Sequence, residues 1–190
     1  MLAAEASRFH GYGWMRGTSG NLSAVVSRDP LQLAVTASGV DKGELEPHDV
    51  VLVDEQGRAV PGLSTGLRPS AEAALHARIA RVTGAGAVVH VHTVSAVVAG
   101  DRYPEGIVLR DLEMLKAFGR ADHDTVTVPV VTNSQDMAEL AGRFERAWQP
   151  GVPAFVVARH GLYCWGTDHT QARHHTEAVE WLLEYVVSRG

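Results

Sequence analysis

Two periods of apolar residues alternate along the chain, one close to four residues and one of two. Leu2, Ala6, Phe9 and Gly13 recur at helical spacing and predict an amphipathic first helix. Leu31, Leu33 and Val35 instead alternate with Gln32, Ala34 and Thr36, which is the period of a half-buried strand. Segments 22–26, 31–37 and 49–53 therefore read as three short strands. Glu55-Gln56-Gly57-Arg58 follows as a turn into a brief return at Ala59-Val60. Pro69-Ser70 opens a helix with Ser70 as its N-cap and Leu75, Ile79 and Val82 as its apolar stripe. Segment 87–93 is a buried strand, and 126–131 another, with Pro129 marking an edge or a bulge. Ser134 caps a helix whose apolar face carries Met137, Leu140, Ala141 and Phe144. Strands at 154–158 and 162–165 flank Arg159-His160-Gly161. A last helix, from about Thr170, carries Ala172, Thr176, Val179, Leu183 and Val186.

No linker, repeat or low-complexity stretch interrupts this order, so residues 1–190 are expected to form one domain. Strands interleaved with helices predict a layered α/β fold, and the closely spaced early strands predict hairpins within a mixed, largely antiparallel sheet. Composition changes little: 45% hydrophobic and 21% charged residues is an ordinary globular balance. A formal net charge of −5 argues against a nucleic-acid surface, which would need a basic stripe. It leaves an anionic small substrate open, because a local pocket sets that field. Cys164 is the one cysteine, which excludes an intrachain disulfide and a cysteine-based zinc cluster; it reads as a buried, inert thiol. Neither a basic-then-apolar leader nor a membrane-length apolar run is visible, so a cytoplasmic protein with no membrane partner is expected.

The sharpest chemical signal is His90-Val91-His92. Alternate residues of a strand face the same side, so both imidazoles can address one point. Two core histidines satisfied by hydrogen bonds would be the plain alternative. His160, at a turn beside Gly161, adds a third imidazole, and three leave an open position on zinc as a catalytic site requires. A metallo-β-lactamase-like motif would continue with Asp and His, where Thr93-Val94-Ser95 stands. A cupin would carry a Glu a few residues on, where Ala96-Val97 stands.

Glu113 lies among apolar neighbours in Leu112-Glu113-Met114-Leu115, where desolvation would raise its pKa and suit it to general acid/base work. Without the histidines it would read as an exposed carboxylate. Glu72, near the start of a helix, either favours the helix dipole or is a second catalytic candidate. Gly17-Thr18-Ser19-Gly20-Asn21, Ser38-Gly39 and the helix start at Ser70 combine glycine with short polar side chains, a composition that offers neutral donors to a phosphate. His10, His48, His76, His123, His169, His174 and His175 show no pairing pattern and read as surface or structural residues.

Taken in order, these pieces resemble the class II aldolase and adducin head family. The resemblance runs through 17–23, Ala37-Ser38-Gly39, Pro69-Ser70-Ala71-Glu72, His90-Val91-His92 and His160-Gly161. It implies a three-layer αβα sandwich, a homotetramer with active sites at subunit interfaces, and one zinc ion per subunit on His90, His92 and His160. It also implies a phosphate subsite at Asn21, Ser38, Gly39 and Ser70. Segments 112–116, 131–137 and 158–166 resemble the family's branch that dehydrates 5-methylthioribulose 1-phosphate in methionine salvage. That similarity implies Glu113 as acid/base, with the metal polarising the substrate carbonyl. The family's sugar-phosphate aldolases carry two serines before the helix glutamate, and Ala71 replaces the second here, which leaves the aldolase activity as the alternative. A non-catalytic binding module, as in adducin heads, would lack the metal site; the three histidines argue against it.

Overall fold

The computed structural model describes residues 1–62 and 66–189. The chain opens with helix α1 (Leu2–Gly11), which buries Leu2, Ala6 and Phe9. An antiparallel meander follows, β1 (Asn21–Arg28), β2 (Leu31–Thr36) and β3 (Val50–Asp54). Ala59 bridges back to Val53, as the Gly57 turn predicts. Helix α2 (Ala73–Thr83) leads to β4 (Ala87–Val91), buried at every position. Helix α3 (Val94–Arg102), β5 (Ile107–Arg110), a 3₁₀ helix (Glu113–Phe118), β6 (Thr125–Val128) and β7 (Val130–Val131) come next. Helix α4 (Met137–Ala147), β8 (Ala154–Val157), β9 (Gly161–Gly166) and helix α5 (His169–Ser188) complete the order.

Seven strands form one sheet in the order β3-β2-β1-β4-β9-β8-β7, antiparallel throughout except where β7 runs parallel to β8. Two apolar layers sandwich it. On one face, Leu75 and Ile79 of α2 and Leu140 and Phe144 of α4 pack on Val88, Phe155, Val157, Tyr163 and Trp165. On the other, α1, α3 and α5 pack on Ala87, Val89, Val91, Leu162 and Cys164, joined by β5 and β6 as a separate hairpin. The expected three-layer αβα sandwich with a mixed, largely antiparallel sheet is what forms.

Three local expectations need correction. Segment 126–131 is two strands rather than one: β6 pairs with β5, and β7 joins the main sheet. Pro129 lies at the crossing, with no N–H to give a ladder, while its carbonyl accepts from Val156. Ser70 does not cap α2. Its hydroxyl accepts from the Glu72 N–H and its carbonyl from Ala73, so a turn precedes a helix whose N-cap position is Glu72. Asp136, not Ser134, caps α4, because its carboxylate accepts from both Ala138 and Glu139. Cys164 is buried as expected, and burial pushes its thiol pKa up, away from reactivity.

Candidate metal centre and substrate cleft

Register brings the chemistry together. Asn21 pairs with His90 across β1 and β4, and His90 pairs with Tyr163 across β4 and β9. The start of β1, the end of β4 and the start of β9 thus meet at one end of the sheet, and His160 occupies the turn just before β9. Arg159 adopts the left-handed region at φ 57°, which turns the chain sharply between β8 and β9. Gly161 follows because nothing larger fits: a Cβ there would lie 2.4 Å from the Val91 carbonyl, 3.1 Å from the His90 ring and 3.3 Å from that of His92.

His90 Nε2 lies 2.9 Å from His92 Nε2 and 3.2 Å from His160 Nε2. Tetrahedral zinc with Zn–N near 2.0–2.1 Å would space its nitrogens about 3.3 Å apart, so three nitrogens at these separations fit a metal ion with little adjustment. The His90 Nδ1–H donates to the Leu162 carbonyl at 3.1 Å, which leaves Nε2 with its lone pair free for a metal. The His90 ring is fixed by stacking on Tyr163 (centroids 3.9 Å apart, planes at 12°), and Tyr163 in turn stacks on Phe155. Among the described residues, the buried side-chain atoms without a hydrogen-bond partner are Glu5 Oε2 and five others in this region. Those five are Asn21 Oδ1, His76 Nε2, His160 Nδ1, and Glu72 Oε1 and the Tyr163 hydroxyl, which stand against each other; such a concentration is expected where a ligand belongs.

Glu72 stands against the histidines, its two oxygens 3.3 Å from His90 Nε2 and 3.4 Å from His160 Nε2. Burial alone would raise its pKa, but His90 and the Asn21 amide outweigh that and hold it down at about 2. The Asn21 Nδ2 donates to Glu72 at 2.7 Å, so Asn21 orients this carboxylate as well as lining the cleft. The cleft itself, about 370 Å³, is lined by Thr18, Ser19, Gly20, Asn21, Ser38, Gly39, Ser70, Glu72, His92 and His160, and also by Lys42, Gln135 and Met137. Every predicted phosphate residue is therefore in the same hollow as the imidazoles. Lys42 was missed as a site residue, although it stands three positions after the Ser38-Gly39 turn; a buried lysine carries no sequence signal of its burial. Gln135 and Met137 were assigned no site role either.

Glu113 is not in this cleft, and the expectation of a desolvated acid is corrected. Its side chain is 76% exposed and pairs with Lys116 at 2.7 Å. A 3₁₀ turn repeats every three residues and puts positions 113 and 116 on one outer face, while Leu115 is buried in the core and Met114 and Phe118 pack against it. Phe118 and Gly119, at the end of this helix, line a hollow with Pro153 and Trp165. Trp165 is five strand residues from His160, roughly 15 Å along β9.

A family model described as "Class II Aldolase and Adducin N-terminal domain" matches residues 1–187. The chain belongs to this family. A methylthioribulose-1-phosphate dehydratase of Persephonella marina is 37% identical over 182 residues, covering 94% of this chain and 84% of its own length. A methylthioribulose-1-phosphate dehydratase of Sulfurihydrogenibium is 40% identical over 180 residues, covering 93% and 83%. Among solved structures, an L-fuculose 1-phosphate aldolase superposes with a TM-score of 0.81 at 25% identity, over 99% of this chain and 84% of that one. Family membership and the three converging imidazoles agree on a metal-binding centre. Among the described residues no helix is long and apolar enough to cross a membrane.

The buried imidazoles give this family member a stated acid sensitivity. Burial lowers the pKa of His90 to about 3 and of His76 to about 4, from 6.5, and lowers that of His92 as well. Below pH 6.5 the unfolded chain then binds more protons than the folded one, so stability falls as pH falls through 6.5 toward 4. The loss for the metal-free protein is on the order of a few kcal/mol. Thermal unfolding of metal-free protein between pH 7.5 and 5 should show a steady drop in Tm; a flat or rising Tm would contradict neutral buried imidazoles.

Proposed function

We propose that this protein dehydrates 5-methylthioribulose 1-phosphate to 2,3-diketo-5-methylthiopentyl 1-phosphate, the hydro-lyase reaction of methionine salvage. The observation that carries the reading is the junction of three imidazole Nε2 atoms, 2.9 and 3.2 Å from one another around His90, with a cleft of short polar groups. The names of its relatives supply the substrate.

His90, His92 and His160 hold one zinc ion per subunit, since imidazole nitrogens suit zinc and their neutral state leaves the lone pairs available. When bound, the metal supplies a Lewis acid at the substrate carbonyl. Asn21, Ser38, Gly39 and Ser70 bind the phosphate. Glu113 takes the C3 proton and returns it to the C4 hydroxyl as that group leaves as water. The enol left behind tautomerises to the diketone, which balances the reaction. Glu113 is exposed on its own chain and so free to serve the cleft of a neighbouring copy, and the proposed assembly is a cytoplasmic homotetramer with sites shared between subunits. Glu72, held by Asn21 beside the imidazoles, is the rival acid/base.

Glu72 also favours a second reading, a sugar-phosphate aldolase, because a carboxylate already stands at the imidazole cluster and an L-fuculose 1-phosphate aldolase shares the fold. One assay separates them. Purified metal-loaded protein is given 5-methylthioribulose 1-phosphate, with fuculose and ribulose phosphates in parallel, and diketone formation is followed. Diketone from the first substrate alone is the expected result; cleavage of fuculose 1-phosphate with no diketone would replace the dehydratase by the aldolase.

A further inference from the structure

Lys42 is 1% exposed, among the largest fully buried side chains of the protein. Its ammonium donates to the Thr18 carbonyl at 3.1 Å and the Val40 carbonyl at 2.8 Å, and its backbone N–H reaches the Gly17 carbonyl. It thereby ties the loop before β1 to the loop after β2, the two loops that form one wall of the cleft. An ammonium has three protons, and these two bonds use two of them.

No carboxylate partners it among the described residues. The nearby Asp41 carboxylate instead accepts from the Gly43 N–H at 2.8 Å and faces His10 at 3.7 Å. Glu72, the one carboxylate lining the cleft, bonds Asn21 and faces the histidines. Burial lowers the Lys42 pKa, and the charge of the neighbouring Asp41 offsets only part of that effect. Such a charge is costly to bury with only carbonyl oxygens bonded to it. A phosphate ester, by contrast, carries about −1.5 to −2 at neutral pH. Lys42 is also the one lysine or arginine lining the cleft among the described residues.

We infer that Lys42 is the specificity-determining charge of this cleft: it makes the hollow select a phosphate ester over the same sugar without its phosphate, while stapling the two loops that hold that group. The inference rests on reading the cleft as a phosphate site, and its test is independent of the reaction assigned above. Neutral donors also favour the charge of a phosphate, and a buried cation beside them adds to that preference.

Inorganic phosphate binding to metal-loaded protein, measured by calorimetry, should weaken on the order of 10- to 100-fold in Lys42→Gln, the range for losing a bond to a charged group. With 5-methylthioribulose 1-phosphate, the loss should fall on kcat/KM through KM and exceed any loss on dephosphorylated methylthioribulose by about tenfold or more, with metal content unchanged. Equal losses on both sugars, or unchanged phosphate affinity in a folded variant, would reduce Lys42 to a structural staple and overturn the inference. The wild-type chain offers a second measurement that needs no substitution. It has two lysines, Lys42 and Lys116. In lysine-labelled protein, added phosphate should move the Lys42 side-chain resonance and leave that of exposed Lys116 in place. No movement at saturating phosphate overturns the inference as firmly. If phosphate binds as stated but methylthioribulose phosphate is not turned over, the reaction fails and Lys42 stands.

Discussion

Replacing His92 by Ala will drop metal content from about one per chain to well below it and lower turnover on the order of 10³-fold or more. That size follows from losing several kcal/mol of transition-state stabilisation that a bound cation supplies. His92 is the informative ligand to remove. His90 is fully buried and stacked on Tyr163, so truncating it would also open a cavity and mix folding with binding. His92 is only partly buried, and its backbone stays held because its N–H donates to the Trp14 carbonyl at 2.9 Å. Elemental analysis after dialysis, beside the diketone assay, reads both effects. Full metal occupancy in a folded His92→Ala variant would remove this residue from the site.

Changing Glu113 to Gln should lower kcat on the order of 10²–10⁴-fold, the usual contribution of one positioned acid/base, with metal, fold and substrate affinity kept. kcat and kcat/KM should fall together, because a proton transfer acts in the transition state and not in binding. The exposed position of Glu113 makes the size of this effect a test of architecture too. An exposed carboxylate paired with Lys116 has no reason to matter to its own cleft. Glu72→Gln is the comparison: at 3.3 Å from His90 Nε2, its loss should disturb metal affinity as well as rate. Refolding inactive Glu113→Gln chains together with inactive His92→Ala chains should restore part of the activity, since some mixed sites would combine intact ligands with an intact acid. Near-full activity of Glu113→Gln beside a dead Glu72→Gln would transfer the proton to the residue inside the cleft. Recovery of nothing in the mixed oligomers would rule out sharing between copies.

The sequence by itself determined which faces are apolar, and so most of the elements. Alternation along 31–37 marks β2, the fourfold spacing of Leu75 and Ile79 marks α2, and the run Ala87-Val88-Val89, interrupted by His90 and resumed at Val91, marks a strand buried on both faces. His90 and His92 share a side for the same local reason. Helix α3 escaped this reading: its run from Val94 to Gly100 is apolar nearly throughout, with no polar face to set a period, and its first residue, Val94, is 74% exposed. The caps were misplaced at Ser70 and Ser134, and Pro129 was read as an edge or a bulge within one strand, because which backbone groups find partners depends on neighbours distant in the chain.

The tertiary structure alone decided what the site contains. His90 and His160 are 70 residues apart, and only the antiparallel register that sets Val91 against Leu162 brings their nitrogens to 3.2 Å. Asn21 reached Glu72 rather than open solvent because β1 pairs with β4 beside the start of α2. Lys42 is charged and reads as a surface residue until two loops close over it. Glu113 reads as desolvated until a 3₁₀ turn sets it outward beside Lys116. Periodicity records how each segment divides between oil and water; it holds no record of which segments meet, and burial of a charge is settled by that meeting.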